Sequence, residues 1–262
     1  MRPGALFRIM LYVKVYALKP TEKGKTMNIA IILAGGTGSR VGGDIPKQFL
    51  TVSGQMMIMH SMQAFAESEY VSNIQIVADA SYREKIEDAM FENEDDPVGE
   101  KFLGFSDPGQ NRQMSIYNAL KDIGEMLGES SIDGVIIHDA ARPFVTKEMV
   151  NECLLSLDEH DGAMPVLPMN DTVYFSRSGE RVDELLNRNN IYAGQAPEAF
   201  LYSKYLKANK DLLPDKILLI KGSTEVAVMA GMDVAMIPGD QRNFKVTTTE
   251  DLERARQILD TM

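Results

Sequence analysis

The feature that most constrains this chain is a buried-strand pattern that runs directly into a glycine-rich turn. The apolar run 28–33 (NIAIIL) has the length and β-branched content of a strand covered on both faces. The turn 34–40 (AGGTGSR) follows it without a break. Its glycines let backbone N–H groups approach an anion, and Arg40 and Lys47 add the positive charge that a triphosphate requires. The combination predicts an α/β protein that binds a nucleotide.

Two well-known phosphate-binding loops do not fit this turn. A dinucleotide-binding loop has a third glycine in the pattern G-x-G-x-x-G, and Val41 stands at that position. A Walker loop has a lysine directly after its last glycine, whereas Gly43 is followed by Asp44. An oxidoreductase with a Rossmann domain therefore remains as the less favoured alternative.

Strand-like and helical segments alternate along the chain, as they do in a doubly wound sheet. Strand-like runs lie at 28–33, 73–79, 100–105, 133–138, 163–167 and 233–237, and helical patterns near 55–67, 82–93, 112–127, 146–159, 203–212 and 223–231. Within 112–127, Ile116, Leu120 and Ile123 recur at helical spacing and give the helix one apolar face. A last helix is predicted after Thr248, which has the pattern of a capping residue. The pattern predicts a three-layer, Rossmann-like α/β fold with a mostly parallel sheet.

One stretch, at about 169–200, departs from the alternation. Short apolar runs flank the turn-like segment 176–180 (SRSGE), which is typical of an inserted β-hairpin. A monomer would leave Val173, Phe175 and Ile191 poorly covered. We therefore interpret 169–200 as an arm that contacts something outside the domain.

Composition places few further limits on the fold but excludes some partners. With 262 residues, 44% of them hydrophobic, the range 27–262 is long enough for a single large domain. Residues 1–26 are interpreted as an N-terminal extension outside that fold, because their apolar run 5–16 is interrupted by Arg8 and Lys14 and is too short to span a membrane. The net charge of −11 argues against nucleic acid or an anionic membrane as a partner. Cys153 is the single cysteine, which fits a reducing cytoplasm.

Several blocks of residues carry a resemblance to a known family. They are LAGGTGSR with PKQF, GQNRQMS (109–115), HDAARP (138–143), Asp171-Thr172, Arg188 with GQAP (194–197), and NFKVT (243–247). In this order, from about Met27 to the C-terminus, the chain resembles cytidylyltransferases that act on a phosphorylated polyol, either 2-C-methyl-D-erythritol 4-phosphate or ribitol 5-phosphate. The resemblance implies transfer of CMP from CTP to the polyol phosphate, with Mg²⁺ as cofactor, by a homodimer whose arm embraces the second subunit.

The resemblance also implies roles for individual positions. The catalytic cations would be Arg40, Lys47 and Lys245. CTP would contact Ala34, Gly35, Gly36, Thr37, Gly38, Gly109, Arg112 and Ser115. The acceptor would contact Asp139, Arg142, Thr172 and Arg188, with Arg188 reaching the neighbouring subunit's site. Asp139 is also the candidate ligand for the metal, because it ends a strand where a doubly wound sheet holds its ligand.

The chemistry of such a transfer needs cations more than it needs a base. A phosphate monoester has a second pKa of about 6, so the attacking oxygen is already anionic near neutral pH. The rate then depends on overcoming repulsion between two polyanions and on stabilising the charge that builds up at phosphorus. We accordingly interpret His138 as a hydrogen-bonded histidine at a strand end rather than as a catalyst.

The acceptor stays open on sequence alone. Ala34-Gly35-Gly36 and Ala196-Pro197-Glu198 differ from the usual methylerythritol pattern, which has two alanines before the glycine and Thr-Pro-Gln after the arm. The segment 192–195 (YAGQ) is closer to the ribitol branch, whereas HDAARP and Thr224-Glu225 are closer to the methylerythritol branch. Another sugar or polyol phosphate is a further alternative.

Overall fold

The computed structural model describes residues 27–36, 45–92 and 97–261. Its strands are β1 (Met27–Leu33), β2 (Thr51–Val52), β3 (Gln55–Met56), β4 (Asn73–Val77), β5 (Phe102–Ser106), β6 (Ile132–Asp139), β7 (Gly162–Pro168), β8 (Val173–Phe175), β9 (Glu184–Leu186), β10 (Tyr192–Gly194), β11 (Glu198–Leu201) and β12 (Val234–Pro238). Its α-helices are α1 (Met57–Glu67), α2 (Ala80–Met90), α3 (Pro97–Lys101), α4 (Arg112–Leu127), α5 (Lys147–Leu155), α6 (Tyr202–Lys210), α7 (Ser223–Met229) and α8 (Thr249–Leu259). Residues 1–26, Thr37, Gly38 and Arg40 lie outside the described residues, and so do the predictions made for them.

The central sheet has β1 near its middle, paired in parallel with β4 on one side and β6 on the other. From β6 the sheet continues through β1 and β4 to β5, all in parallel. Strand β7 belongs to the same sheet and is joined to β6 through β11. On the side of β7 away from β6, β12 pairs with β7 in parallel. The predicted Rossmann-like α/β fold with a mostly parallel sheet is therefore confirmed.

Helices cover both faces of this sheet because β1 is apolar on both. Ala30 and Ile32 point to a core shared with α1, α2 and α5, whereas Ile29 and Ile31 point to a core shared with α4, α6 and α7. In α4 the predicted apolar face is correct, since Ile116, Leu120 and Ile123 are all fully buried in the second core. The helices on the two faces of the sheet thus bury the continuous apolar run 28–33 that the sequence pattern indicated.

The last helix, α8, begins with the predicted cap. The Thr248 side chain accepts from the Asp251 backbone N–H, and the Asp251 side chain accepts from the Thr248 N–H. Leu252 and Ala255 pack into a third, smaller core beside Phe144 and Val246. The helix thereby anchors the segment that carries Lys245 to the body of the domain.

The predicted arm is shorter than 169–200. Strands β8 and β9 pair as an antiparallel hairpin that stands apart from the central sheet. Strands β10 and β11, however, form one interrupted strand of the central sheet. Both pair with β7 in antiparallel orientation, and β11 also pairs with β6 in antiparallel orientation. The prediction was wrong for 192–200 because this strand is short and pairs with residues far away in the sequence, so its local pattern does not reveal its neighbours.

No α-helix within the described ranges has both the length and the apolar character needed to cross a bilayer.

Candidate functional site

The described part of the glycine turn is held by a side chain that sequence analysis missed. Gln48 lies in a 3₁₀ turn that follows Pro46, and its Nε2 donates to Ala34 O at 2.6 Å and to Gly36 O at 2.7 Å. Because both amide hydrogens are used on the turn's carbonyl groups, Gln48 fixes how the turn leaves β1. Lys47 is placed directly beside this contact. A glutamine next to the predicted lysine was the available signal, but its partners are not visible in the sequence.

The segment 106–111 approaches the glycine turn from the end of β5. A Cβ built on Gly35 would lie 2.8 Å from Pro108 Cβ, so the two segments are in close contact. A Cβ on Gly109 would lie 2.4 Å from Met114 Cβ, and the Gly109 N–H donates to Ser115 Oγ at 2.9 Å. Only glycine fits at either position, and the predicted residues Gly109 and Ser115 are in direct contact.

Asp139 lies at the same edge of the sheet as the glycine turn, because it is the register partner of Leu33. Its Oδ1 accepts from Arg112 Nε at 3.1 Å, and its Oδ2 accepts from Lys245 Nζ at 3.0 Å. Arg142 Nε lies 3.7 Å from the same Oδ2. Asp139 is buried, but the surrounding cations, Arg112 first and then Lys245 and Arg142, hold its pKa well below its usual range.

The structure therefore brings together four predicted residues from three parts of the chain. We call Asp139, Arg112, Arg142 and Lys245 the Asp139 cluster. It contains one carboxylate and three cations, and Lys245 keeps more than a third of its side-chain surface exposed. Such a cluster at the carboxyl edge of a parallel sheet is suited to an anionic ligand.

A second carboxylate, missed in the sequence, borders the cluster. Glu198 at the start of β11 is 7% exposed, and its Oε2 lies 3.4 Å from Arg112 Nη2. The same carboxylate accepts hydrogen bonds from α7, at Ser223 Oγ (2.6 Å) and at the Thr224 N–H (3.1 Å). A charged residue at the start of an apolar run (EAF) was the signal in the sequence, and an ionised group is rarely buried without such partners.

The segment that carries Lys245 is held in place by two buried amides. Gln195 Nε2 donates to Asp240 O at 2.9 Å, and Asn243 Nδ2 donates to Ala196 O at 2.7 Å. Arg142 Nη1 donates to Asn243 O at 2.7 Å, which connects this segment to the loop after β6. The position of Lys245 is thus set by contacts of its neighbours with the segment 195–197 between β10 and β11.

Thr172 and Arg188 are not part of the Asp139 cluster as described. They line a cavity of about 440 Å³ formed by arm residues, namely Thr172 and the run 185–189. Arg188 Nη1 donates to the backbone carbonyl of Asn170, also in the arm. The described lining of this cavity contains none of the other predicted residues.

His138, next to Asp139, is fully buried, and burial lowers its pKa to about 4. Its Nε2 is 3.0 Å from Arg142 O, so the neutral ring donates there, and its ring packs 5.2 Å from that of Phe65. A neutral, buried ring committed to a backbone carbonyl is what we expected of a strand-end histidine.

Because the pKa of His138 is low in the folded state, a fall in pH should destabilise the folded protein. Between pH 6.5 and about 4 the unfolded state binds a proton that the folded state does not, so the free energy of unfolding falls as the pH falls. His138 accounts for up to about 3 kcal/mol of this loss. Asp139, with its lowered pKa, loses its contribution only below about pH 3.8. Urea unfolding measured between pH 5 and 7.5 should therefore show a free energy of unfolding that rises with pH, and rises less steeply in His138→Gln. Equal dependence on pH in both proteins would contradict this account.

The donor set around Asp139 bears on the predicted metal. Among the residues that the structure describes there is no group of three or more histidine, cysteine, aspartate or glutamate side chains arranged to hold a metal ion. Both oxygens of Asp139 face cations. Mg²⁺ is commonly held by one or two carboxylates together with substrate phosphates. Because both oxygens are occupied, Asp139 would have to release Arg112 or Lys245 to bind magnesium, and most ligands of the ion would have to come from the triphosphate.

The fold and this edge of the sheet define a Rossmann-like α/β protein with its charged site at the carboxyl ends of the parallel strands. Within that class, the chain belongs to the 2-C-methyl-D-erythritol 4-phosphate cytidylyltransferase family, an enzyme family whose model matches residues 28–261. The predicted family is thereby confirmed.

Individual relatives agree with this membership. A 2-C-methyl-D-erythritol 4-phosphate cytidylyltransferase of Cereibacter sphaeroides is 34% identical over 88% of this chain and 96% of the relative. A bifunctional enzyme IspD/IspF of Paramagnetospirillum magneticum is 31% identical, and the match spans 56% of that longer protein. The crystal structure of a 4-diphosphocytidyl-2C-methyl-D-erythritol synthase from Anaerococcus prevotii superposes with a TM-score of 0.76 at 20% identity, covering 90% of this chain and 97% of that one. This last similarity supports the fold.

Proposed function

We propose that this protein transfers CMP from CTP to 2-C-methyl-D-erythritol 4-phosphate and releases pyrophosphate. The observation that carries the proposal is the Asp139 cluster, which collects three cations beside the glycine turn at one edge of the sheet. Relatives that are 33–34% identical over nearly their whole length are 2-C-methyl-D-erythritol 4-phosphate cytidylyltransferases, which supports methylerythritol phosphate over ribitol phosphate as the acceptor.

The proposed reaction is a direct displacement at the α-phosphorus of CTP. An oxygen of the acceptor's phosphate forms the new bond to that phosphorus, and the bond from it to the oxygen bridging to the β-phosphorus breaks. The electron pair of the broken bond leaves with pyrophosphate. The attacking oxygen is already anionic near neutral pH, so no side chain has to remove a proton. The neutral, buried His138 is in accord with this, since its N–H is committed to the backbone.

The residues of the site would act by holding charge. Lys245, together with Lys47 and Arg40, would stabilise the negative charge that develops on the transferred phosphoryl group and on pyrophosphate. Gly35, Gly36 and Gly109, with Ser115, would contact the nucleotide. Asp139 would be the side chain that holds magnesium, and the ion would supply neutralisation of the negative charge on the phosphates.

The proposal includes a homodimer in which the arm completes the partner's site. Tyr174, Phe175 and Leu185 in the hairpin β8–β9 are each more than 40% exposed, and a symmetric partner would bury them. Thr172 and Arg188 would then meet the acceptor phosphate bound to the other subunit. We further propose that the enzyme works in the cytoplasm, free of nucleic acid and membrane partners, as the charge and the single cysteine indicate.

The test is pyrophosphate release from CTP and Mg²⁺ with methylerythritol phosphate, ribitol 5-phosphate or a pentose phosphate as acceptor. We expect methylerythritol phosphate to give the highest kcat/KM, and CTP to exceed ATP and GTP by at least about tenfold, the scale of one misplaced polar contact. The variant Lys245→Ala, prepared identically, controls for contaminating activity.

Other outcomes of this assay would be decisive. If ribitol 5-phosphate were the better acceptor, the protein would be a ribitol-phosphate cytidylyltransferase instead. Equal turnover with ATP would overturn the cytidylyl assignment. Stabilisation by NAD but not by CTP with Mg²⁺ in a thermal-shift experiment would favour the oxidoreductase alternative.

A further inference from the structure

We propose that Glu198 is a positioning residue for the Asp139 cluster: it holds the Arg112 guanidinium in place, balances its charge, and thereby supports the rate of the transfer step. This inference rests on the proposed function. It concerns a position at which the chain departs from the resembled pattern, because a carboxylate stands where methylerythritol enzymes usually have glutamine.

Arg112 needs a second carboxylate because of where it lies. It is the first residue of α4, and a cation at the N-terminal end of a helix is opposed by the helix dipole. Its side chain is also largely buried, at 28% exposure. Asp139 contacts Arg112 through Oδ1 alone, since Oδ2 faces Lys245 and Arg142. Glu198 supplies the remaining negative charge at Nη2 of the guanidinium.

The hydrogen bonds of Glu198 require an acceptor at both oxygens. Oε1 accepts from the Thr224 N–H and from Thr224 Oγ1, at 3.1 and 2.7 Å. Oε2 accepts from Ser223 Oγ at 2.6 Å and faces Arg112 Nη2. Ser223 Oγ in turn accepts from Arg112 Nη1, so its hydroxyl links the guanidinium to the carboxylate. A glutamine amide would have to turn its NH₂ group toward one of these donor pairs, whichever way it is oriented.

The consequence for the reaction concerns how the charge on Asp139 is shared. With Glu198 present, the charge of Arg112 is balanced by two carboxylates, and Asp139 stays available to Lys245. Without the charge of Glu198, Arg112 is balanced by Asp139 alone and loses one of its fixed partners. Lys245 and Asp139 then no longer keep the geometry that the transition state requires, whereas the nucleotide contacts at the glycine turn are unchanged.

The first arm of the test is steady-state kinetics with CTP and methylerythritol phosphate. We expect Glu198→Gln to lower kcat about tenfold with the KM for CTP changed less than threefold, and Ser223→Ala to lower kcat two- to threefold in the same sense. The matched control is Glu225→Gln, an exposed carboxylate on the same helix that accepts from the Lys221 N–H and does not contact Arg112. Normal kcat in Glu198→Gln, or equal losses in kcat and CTP affinity, would overturn the proposal.

The second arm does not depend on turnover. The Nε–H resonance of Arg112, assigned by its loss in Arg112→Lys, should exchange with water several-fold faster in Glu198→Gln than in the parent or in Glu225→Gln. An unchanged exchange rate would show that Glu198 does not hold Arg112 and would overturn the proposal. If the parent protein turns over no acceptor, the proposed function fails, but this exchange rate still decides the role of Glu198.

Discussion

Lys245→Ala is expected to lower kcat by about 100-fold or more, with a much smaller change in the KM for CTP. Lys245 Nζ is 3.0 Å from Asp139 Oδ2, and more than a third of its side chain stays accessible from the edge of the sheet. A cation placed there acts on charge that develops during the transfer, and losing one such group typically costs 10²–10³ in kcat. The measurement is pyrophosphate release at saturating acceptor.

The matched control for this variant is Lys204→Ala. Lys204 is exposed and pairs with Asp161, on a part of the chain away from the Asp139 cluster. Its loss should leave kcat within about twofold, as for an ordinary surface ion pair. Near-normal turnover in Lys245→Ala would remove this lysine from the mechanism.

Mixing two inactive variants is expected to restore activity if the arm acts across a dimer. Chains carrying Lys245→Ala or Arg188→Ala, refolded together, form unlike pairs in about half of the dimers when pairing is random. In each unlike pair one site combines the native Lys245 of one chain with the native Arg188 of the other. Up to about a quarter of the native activity should therefore return, from a baseline near zero.

A second mixture controls for exchange and refolding. Lys47→Ala with Lys245→Ala places both changes in the main body of the domain, so every site of an unlike dimer lacks one of the two lysines. This mixture should stay inactive. Failure of the first mixture, with unlike dimers confirmed by mass spectrometry, would place Arg188 in the site of its own subunit or outside catalysis.

Much of the fold was predictable because its strongest signals are local. The run 28–33 and the helix around Ile116 and Leu120 have periodicities that a buried strand and a one-faced helix must have. The antiparallel strand Glu198–Leu201 was not predictable, since its position depends on pairing with Ile137 and Ala163 rather than on its own pattern.

The site was predictable as a set of residue types but not as a set of contacts. The cations Arg112, Arg142 and Lys245 could be named from motifs, yet their common partner Asp139 emerges only when strands and loops are placed together. Gln48 and Glu198 were missed because a buried polar side chain gains its role from partners 12 to 86 residues away. Sequence motifs report the chemistry of single positions, whereas hydrogen-bond partners are a property of the folded chain.

The place of Glu198–Leu201 in the sheet has a consequence for the order in which the protein assembles. This strand lies between Ile132–Asp139 and Gly162–Pro168, both of which precede it in the chain. A ribosome must therefore synthesise the whole arm before this strand can take its place between them, although Ile132–Asp139 can already pair with Met27–Leu33. Pairings of such long sequence separation form slowly, because the loop must close before its contacts stabilise it. Insertion of this strand brings Glu198 to Arg112, whereas Gln195 can hold the segment before Lys245 only after Asp240 has also been synthesised. The protein should consequently complete its charged site late in folding, since a nascent chain that ends within the arm still lacks Glu198 and Lys245.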